Sequence, residues 1–543
     1  MVMENASQGK GESTRRSKIR LPERFNIVEE LLEKPASSIP TSVAIREVSP
    51  TTLEVVRTYT YFDLYRSVNK IANSLRESNI LPEQRIGIMM NDGVDFVSAF
   101  LAILKVGAVA VMLNTYVDEA WLKFILNDSY IRGLFIDKNY LPKLVAAKND
   151  LKYTRLVVST TEADGTRSLE EFVRHSSPVS EVEGVSRDDI AFWYFTSGST
   201  GRPKGVAHHH HDMYYAGLAY YDDTLRARSN DIFFSSAKLY FSAGMGFGLY
   251  GPFLIQGSTV LYPGKPAADT LLQIISRAKP TLFLAVPTIY ARMLEAIALK
   301  KFDVSSVRIF AAGGEFLPPQ VFKKWKDTVG MEITDGMGAA EVCHYFTSNI
   351  PGQSRPVTCG RMIEGYEARI VGADGKNVKE GDIGSLLVKG KSTFAYYWHM
   401  DELTKRTKLG EWVSTGDLVY RDKEGYIYFC GREDHSFKIH GLWVSPIEIE
   451  NEILSTEIIR ECCVVSWTTA NGIAEPVAYL VANSLGDDKE KITEEIKARL
   501  KAKLSGYKIP KAFVFLGSLP KTSVDKLDRS TLLKEASRYF TNL

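Results

Sequence analysis

Signals that sort a chain into a class at a glance are scarce here. Among 543 residues there are five cysteines, Cys343, Cys359, Cys430, Cys462 and Cys463, with no CxxC pair and one left over from any even pairing. That gives no sign of a disulfide framework and makes a reducing, cytoplasmic setting the simpler expectation. Neither sign of charge is in excess: 67 Lys+Arg against 65 Asp+Glu leave a formal +2, which gives no basis for a nucleic-acid or membrane partner. The opening MVMENASQGKGESTRRSKIR lacks the apolar centre of a signal peptide, and residues 1–22 read as a disordered tail. The most apolar stretch, Phe96 to Leu113, is broken by Lys105 and Gly107, which suits a buried helix running into a strand and not a bilayer span. Repeats and low-complexity segments are missing as well.

What is present is the composition of a soluble globular enzyme, 45% hydrophobic and 24% charged, in a length that favours more than one domain. Short apolar runs such as RIGIMM, AVAVML, GLFID and RLVVS alternate with longer helical patterns such as FDLYRSVNKIANSLRES. This alternation implies an α/β fold with parallel sheets flanked by helices. Beyond about residue 360 short strands and turns take over, in EARIV, GSLLVKG and YIYFCGRED, so a small β subdomain is expected there. The last hundred residues offer a helix from Pro446 to about Leu454, strands in CCVVSW, VAYLVAN and AFVFLG, and a helix in KITEEIKARLKAKL. The expected division is a large domain over 23–433 and a small, mobile α+β domain over 434–543, joined at the polar turn Gly431 to Asp434.

The sharpest local pattern is YFTSGSTGRPKG, where a strand runs into Thr196, Ser197, Gly198, Ser199, Thr200, Gly201 and Lys204. Glycines let backbone N–H groups approach an anion, the hydroxyls donate further hydrogen bonds, and Lys204 adds charge. A phosphate cradle and a plain Gly/Ser turn both remain open on composition alone. It is not the usual P-loop, because Lys204 follows Pro203 and precedes Gly205.

This loop resembles the signature of the adenylate-forming superfamily, which includes acyl-CoA synthetases, peptide-synthetase adenylation domains and luciferases. GMGAAE (Gly336 to Glu341), STGD (Ser414 to Asp417), GREDHSFKIHG (Gly431 to Gly441) and PKTSVDKLDR (Pro520 to Arg529) follow in the family's order. The likeness runs from about Phe25 to Arg529. It implies an AMP-forming acid–CoA ligase that uses ATP, Mg²⁺ and coenzyme A, with a homodimer left open as its assembly.

The resemblance assigns roles residue by residue. Glu341 matches the carboxylate that holds Mg²⁺, a hard cation that takes carboxylate and phosphate oxygens. Asp417 and Arg432 match the ribose-binding pair, and Gly314, Glu315, Asp335, Gly336 and Met337 match the adenine site. Lys526 matches the lysine that the small domain brings to the reacting carboxylate and α-phosphate, where a desolvated ammonium stabilises the developing charge. Rotation about a hinge at Asp434 then brings Lys438 toward the active site and Gly441 beside the pantetheine of CoA. Without the resemblance, Lys526 reads as a surface lysine and Gly441 as a turn glycine.

Within the superfamily the likeness to benzoate and hydroxybenzoate CoA ligases is carried by SSAKLYFSAGMGFGLYGP, AVPTIYARML and EVCHYFTSN. It places Phe241, Ser242, Ala243 and His344 around the acyl group. Several positions depart from the pattern: Ala340 stands where a Thr is usual, Met337 where an aromatic is usual, Asp525 for a Gly and His435 for an Asp. Ser242 and Ala243 enlarge the acyl site and add a hydroxyl, so a short hydroxyacid such as 4-hydroxybutyrate is the alternative to a benzoate. A luciferase-like oxygenase, a carrier-protein adenylation domain and a nucleotide sensor are the other readings weighed. His208 to His211 invites a metal reading at the start of a helix, set here below simple packing.

Overall fold

A computed structural model describes residues 20–147, 150–163, 165–197, 203–434, 436–439, 442–456, 458–468, 474–483, 488–521 and 527–539. Two large sheets dominate it. In the seven-stranded sheet the order is Arg167–Ser168, Leu156–Ser159, Gly133–Ile136, Arg85–Met89, Val109–Met112, Ile190–Ser197 and Pro203–His209; every pairing is parallel except the last. The nine-stranded sheet has a parallel centre, in which Ile232–Ser235 lies between Leu282–Ala285 and Ser258–Leu261, and antiparallel strands at both ends.

Alternation along each strand explains why these runs are apolar throughout. Leu282 and Leu284 enter one core, whereas Phe283 and Ala285 enter another on the opposite face. Ile86 and Ile88 likewise face the first core, while Met89, Val109 and Val111 face a third. Both faces are covered, as parallel sheets require. The core common to the two sheets holds helices Tyr61–Glu77, Val94–Lys105 and His210–Gly217. Lys105, which breaks the apolar run, is itself buried there, its ammonium donating to Glu33 Oε1 and Asn69 Oδ1, both at 2.5 Å.

The texture change near residue 360 is real. Glu367–Val371, Gly384–Lys389, Trp412–Arg421, Lys408–Leu409 and Ile427–Arg432 form a separate antiparallel sheet. The last part of the chain folds as expected: Ile459–Thr468, Ala474–Ala482 and Ala512–Phe515 form a three-stranded sheet with helices Pro446–Leu454, Lys489–Lys503 and Arg529–Tyr539. Of the expected tail, residues 1–19 lie outside the described residues. Leu21 is buried and its carbonyl accepts from Arg187 Nη1 at 2.6 Å, so the packed chain starts ahead of Phe25. Among the described residues, no helix is long and apolar enough to cross a membrane.

Candidate active site

The strands Ile190–Ser197 and Pro203–His209 pair antiparallel, with Thr196 opposite Lys204 and Ser197 opposite Pro203. They lead into residues 198–202, so Gly198, Ser199, Thr200 and Gly201 fall outside the described residues. Lys204 is described, and its ammonium lies 5.5 Å from the centre of the Tyr397 ring. Tyr397 is held there by its backbone: it bridges Val206, Trp398 N donates to Gly205 O at 2.9 Å, and Ala207 N donates to Tyr396 O at 3.0 Å. Its hydroxyl donates to Glu341 Oε1 at 2.6 Å. Burial and the neighbouring Glu341 charge both push this phenol above its usual value.

Glu341 sits on a single turn, Ala340–Val342, that is pinned from two sides. Phe394 N donates to Glu341 O at 2.8 Å, and His208 Nε2 lies 2.7 Å from Ala340 O. The other nitrogen of His208 lies 2.6 Å from Asp212 Oδ2. Both ring nitrogens of this buried histidine are thus engaged, one by the Asp212 carboxylate and the other by the Ala340 carbonyl, which fixes the ring between the helix and the Glu341 turn.

Asp417 and Arg432 are Cα partners on adjacent antiparallel strands. Arg432 Nη1 donates to Asp417 Oδ1 at 2.9 Å and to Thr415 O at 2.7 Å. Burial pushes the Asp417 carboxyl up while Arg432 pulls it down. Gly416, at φ 70°, keeps this corner open: a Cβ there meets Arg432 Nη2 at 2.8 Å. Asp335, within the strand Ile333–Gly338, is buried, and its Oδ1 has no hydrogen-bond partner among the described residues. Burial holds its carboxyl well above the usual range. Met337 is buried beside it, and Gly314, at φ 81°, leads into Glu315, whose carboxylate accepts from Thr288 Oγ1 at 2.7 Å.

The four expected acyl residues divide into two kinds. Phe241, Ser242 and Ala243 are half-buried at the start of a helical turn, with Tyr240 and Phe241 in ring contact at 4.7 Å. His344 is buried among aromatics: its ring lies 5.4 Å from Tyr221, 5.2 Å from Tyr220, 4.8 Å from Tyr345 and 5.8 Å from Tyr250. Its Nε2 lies 2.6 Å from the Tyr221 hydroxyl. Burial pulls its pKa down to about 3, opposed by a hydrogen bond to the Ser242 backbone. His344 is therefore an uncharged ring at neutral pH. Gly246 makes room for it, because a Cβ at that position meets His344 Cε1 at 2.5 Å.

The AMP-binding enzyme profile matches residues 33–398, and the profile of the AMP-binding enzyme C-terminal domain matches 448–526. The chain belongs to the AMP-binding enzyme family. A 4-hydroxybenzoate–CoA/benzoate–CoA ligase of Rhodopseudomonas palustris is 34% identical over 480 residues, covering 88% of this chain and 89% of the relative. A benzoate–CoA ligase of Thauera aromatica is 32% identical, covering 95% of this chain and 97% of its own. Among solved structures, an anthranilate CoA ligase in complex with anthranoyl-AMP superimposes with a TM-score of 0.88 at 31% identity, over 95% of this chain and 98% of that one.

In this member of the AMP-binding enzyme family, the small-domain residues named from sequence fall largely among those not described. Lys526 and Gly441 lie outside the described residues, and Lys438 is placed only by its backbone, on the strand Phe437–Ile439. Asp434 Oδ1 lies 3.8 Å from Arg432 Nε. Arg529, three residues beyond Lys526, is locked by Glu450 through Nη1–Oε1 at 2.6 Å and Nη2–Oε2 at 2.7 Å.

The histidine run differs from the expected helical start. His208 and His209 end a strand, and the helix opens at His210 with His209 and Asp212 as its capping box. Ligand atoms of His209, His211 and Asp212 lie within 4.8 Å of one another. The two rings stack, 4.9 Å apart at 17°, and His211 Nδ1 already lies 2.9 Å from Asp212 Oδ1. Despite the cost of burying it, three imidazoles hold the Asp212 carboxyl well below its usual range. This is packing around one shared carboxylate. Sequence reasoning missed Tyr397 and the His208–Ala340 link; both are contacts across long sequence separations, and AYYW carries no local mark of its role.

Proposed function

We propose that this chain is an AMP-forming acid–CoA ligase acting on an aromatic carboxylate, benzoate or a hydroxybenzoate. In the first step a carboxylate oxygen attacks the α-phosphorus of ATP and pyrophosphate leaves, giving the acyl-adenylate. In the second the CoA thiolate attacks the acyl carbon and AMP departs with that oxygen. The observation that carries the reading is the convergence of Lys204 and Glu341 on the two sides of one residue, Tyr397.

The residues divide the work by chemistry. Lys204 and the loop beside it supply positive charge and donors to the phosphates. Asp417 accepts from the ribose hydroxyls while Arg432 fixes its orientation, and the unpartnered Asp335 Oδ1 suits the amino group of adenine. The donor set fits magnesium: Glu341 is a half-buried carboxylate with Oε1 engaged by Tyr397, and among the described residues Oε2 accepts no hydrogen bond. Glu341 is the residue that would hold the ion, which would neutralise phosphate charge when bound. Lys526 approaches the reacting carboxylate from the small domain, which turns about Asp434 between the two steps.

The aromatic surroundings of an uncharged His344 favour a planar ring as the acyl group. The ligases of Rhodopseudomonas palustris and Thauera aromatica, named for benzoates, support the same choice. The test is pyrophosphate release with Mg·ATP, with and without CoA, across benzoates, short hydroxyacids and fatty acids. Turnover of a benzoate stimulated by CoA bears the reading out. Turnover confined to another acid class removes the substrate assignment, and release indifferent to CoA removes the ligase.

A further inference from the structure

We infer that Tyr397 is a positioning residue for the metal carboxylate, setting which oxygen of Glu341 is presented to the ion. This rests on the reading of Glu341 as the magnesium ligand. The contact is a buried phenol donating to Glu341 Oε1 at 2.6 Å, and it is not incidental to the fold. Tyr397 is fixed by a backbone bridge to Val206, two residues beyond Lys204, and its segment is tied down again where Lys408 Nζ donates to Phe394 O at 2.7 Å. Phe394 N in turn donates to Glu341 O at 2.8 Å. Backbone and side chain of Glu341 are thus gripped by the same short segment, 394–397.

The consequence follows from the donor inventory. A carboxylate with one oxygen held by a hydroxyl turns the other outward, and a carboxylate so oriented loses less freedom when it ligates a cation. The ring acts on the other side: its face lies 5.5 Å from the Lys204 ammonium, so the residue that aims the carboxylate also supports the phosphate-binding cation. Removing the hydroxyl while keeping the ring separates these functions.

The test uses the full-length enzyme and two readouts. In Tyr397→Phe the magnesium concentration for half-maximal pyrophosphate release rises about 10-fold, in the range seen when a partner of a ligating carboxylate is removed. By calorimetry, ATP binding without metal stays unchanged, while the gain in ATP affinity on adding magnesium falls by the same factor. Glu341→Gln is the control for the underlying reading, and Tyr397→Phe added to it produces no further rise. An unchanged magnesium requirement in Y397F, with E341Q impaired, overturns the role of Tyr397. An unchanged requirement in E341Q overturns the metal reading itself. Should Y397F fail to fold, 3,5-difluorotyrosine at position 397 keeps the shape and alters only the donor; a magnesium requirement identical to wild type then counts against the proposal.

Discussion

Arg432 donates to Asp417 across two paired strands, 2.9 Å from Nη1 to Oδ1, and the two residues are Cα partners in the ladder. The fold therefore delivers a carboxylate with one oxygen already oriented and a guanidinium locked against it. Asp417→Ala removes the acceptor and leaves Arg432 with only the longer approach of Asp434, 3.8 Å from its Nε. The KM for ATP is expected to rise by about 10- to 100-fold, the effect of one or two lost charge-assisted hydrogen bonds. In wild type 2′,3′-dideoxy-ATP is much the poorer substrate, whereas in the variant it approaches ATP. Initial rates with both nucleotides measure this.

Gly246 is predicted to be indispensable to the acyl site without touching nucleotide. A methyl group there meets the His344 ring at 2.5 Å, and that ring is enclosed by four tyrosines. Overpacking of this kind costs about 1–3 kcal/mol. In Gly246→Ala the KM for benzoate rises about 10-fold or more while that for ATP stays put. Steady-state kinetics varying each substrate in turn separates the two.

Burial of His344 also predicts a pH dependence. Its pKa is pulled down to about 3 in the folded protein, against about 6.5 in an unfolded chain. The unfolded state therefore takes up a proton first as pH falls. Stability due to this residue is complete above about pH 6.5 and is lost progressively from there toward pH 3, by about 2 kcal/mol at pH 5. His344→Asn lacks this term, so the melting temperature of wild type relative to H344N drops as pH is lowered from 7 to 5. A constant difference contradicts the buried, uncharged state.

The same residue shows how far sequence reaches. The resemblance puts His344, Phe241, Ser242 and Ala243 on one wall, and Gly246, four residues beyond Ser242, lies directly against the His344 ring. The strands were legible because each is buried on both faces, so Leu282 to Ala285 and Val109 to Met112 are apolar without a break. The His208 position was misplaced, because four consecutive histidines carry no periodicity and the switch from strand to helix falls inside the run. Tyr397 was invisible for another reason: it meets Glu341 across 56 positions, and only the backbone bridge to Val206 brings it to Lys204.

Lys526 carries the prediction for the small domain. Lys526→Ala is expected to slow adenylation by about 10²–10³-fold, the loss typical of one transition-state donor. Thioester formation from supplied acyl-adenylate is expected to fall far less, since the proposed rotation takes Lys526 away before that step. Stopped-flow measurement of each half reaction decides, and equal losses in both contradict the division of labour between two faces.

The acid is expected to travel through an acyl-adenylate. Benzoate labelled with ¹⁸O in its carboxylate, incubated with Mg·ATP and CoA, tests it most directly, with AMP, pyrophosphate and thioester analysed by mass spectrometry. Because the attacking carboxylate oxygen stays on the α-phosphorus, one ¹⁸O is expected in each AMP and none in pyrophosphate. Label in inorganic phosphate, together with ADP in place of AMP, would show an acyl phosphate route and contradict the account.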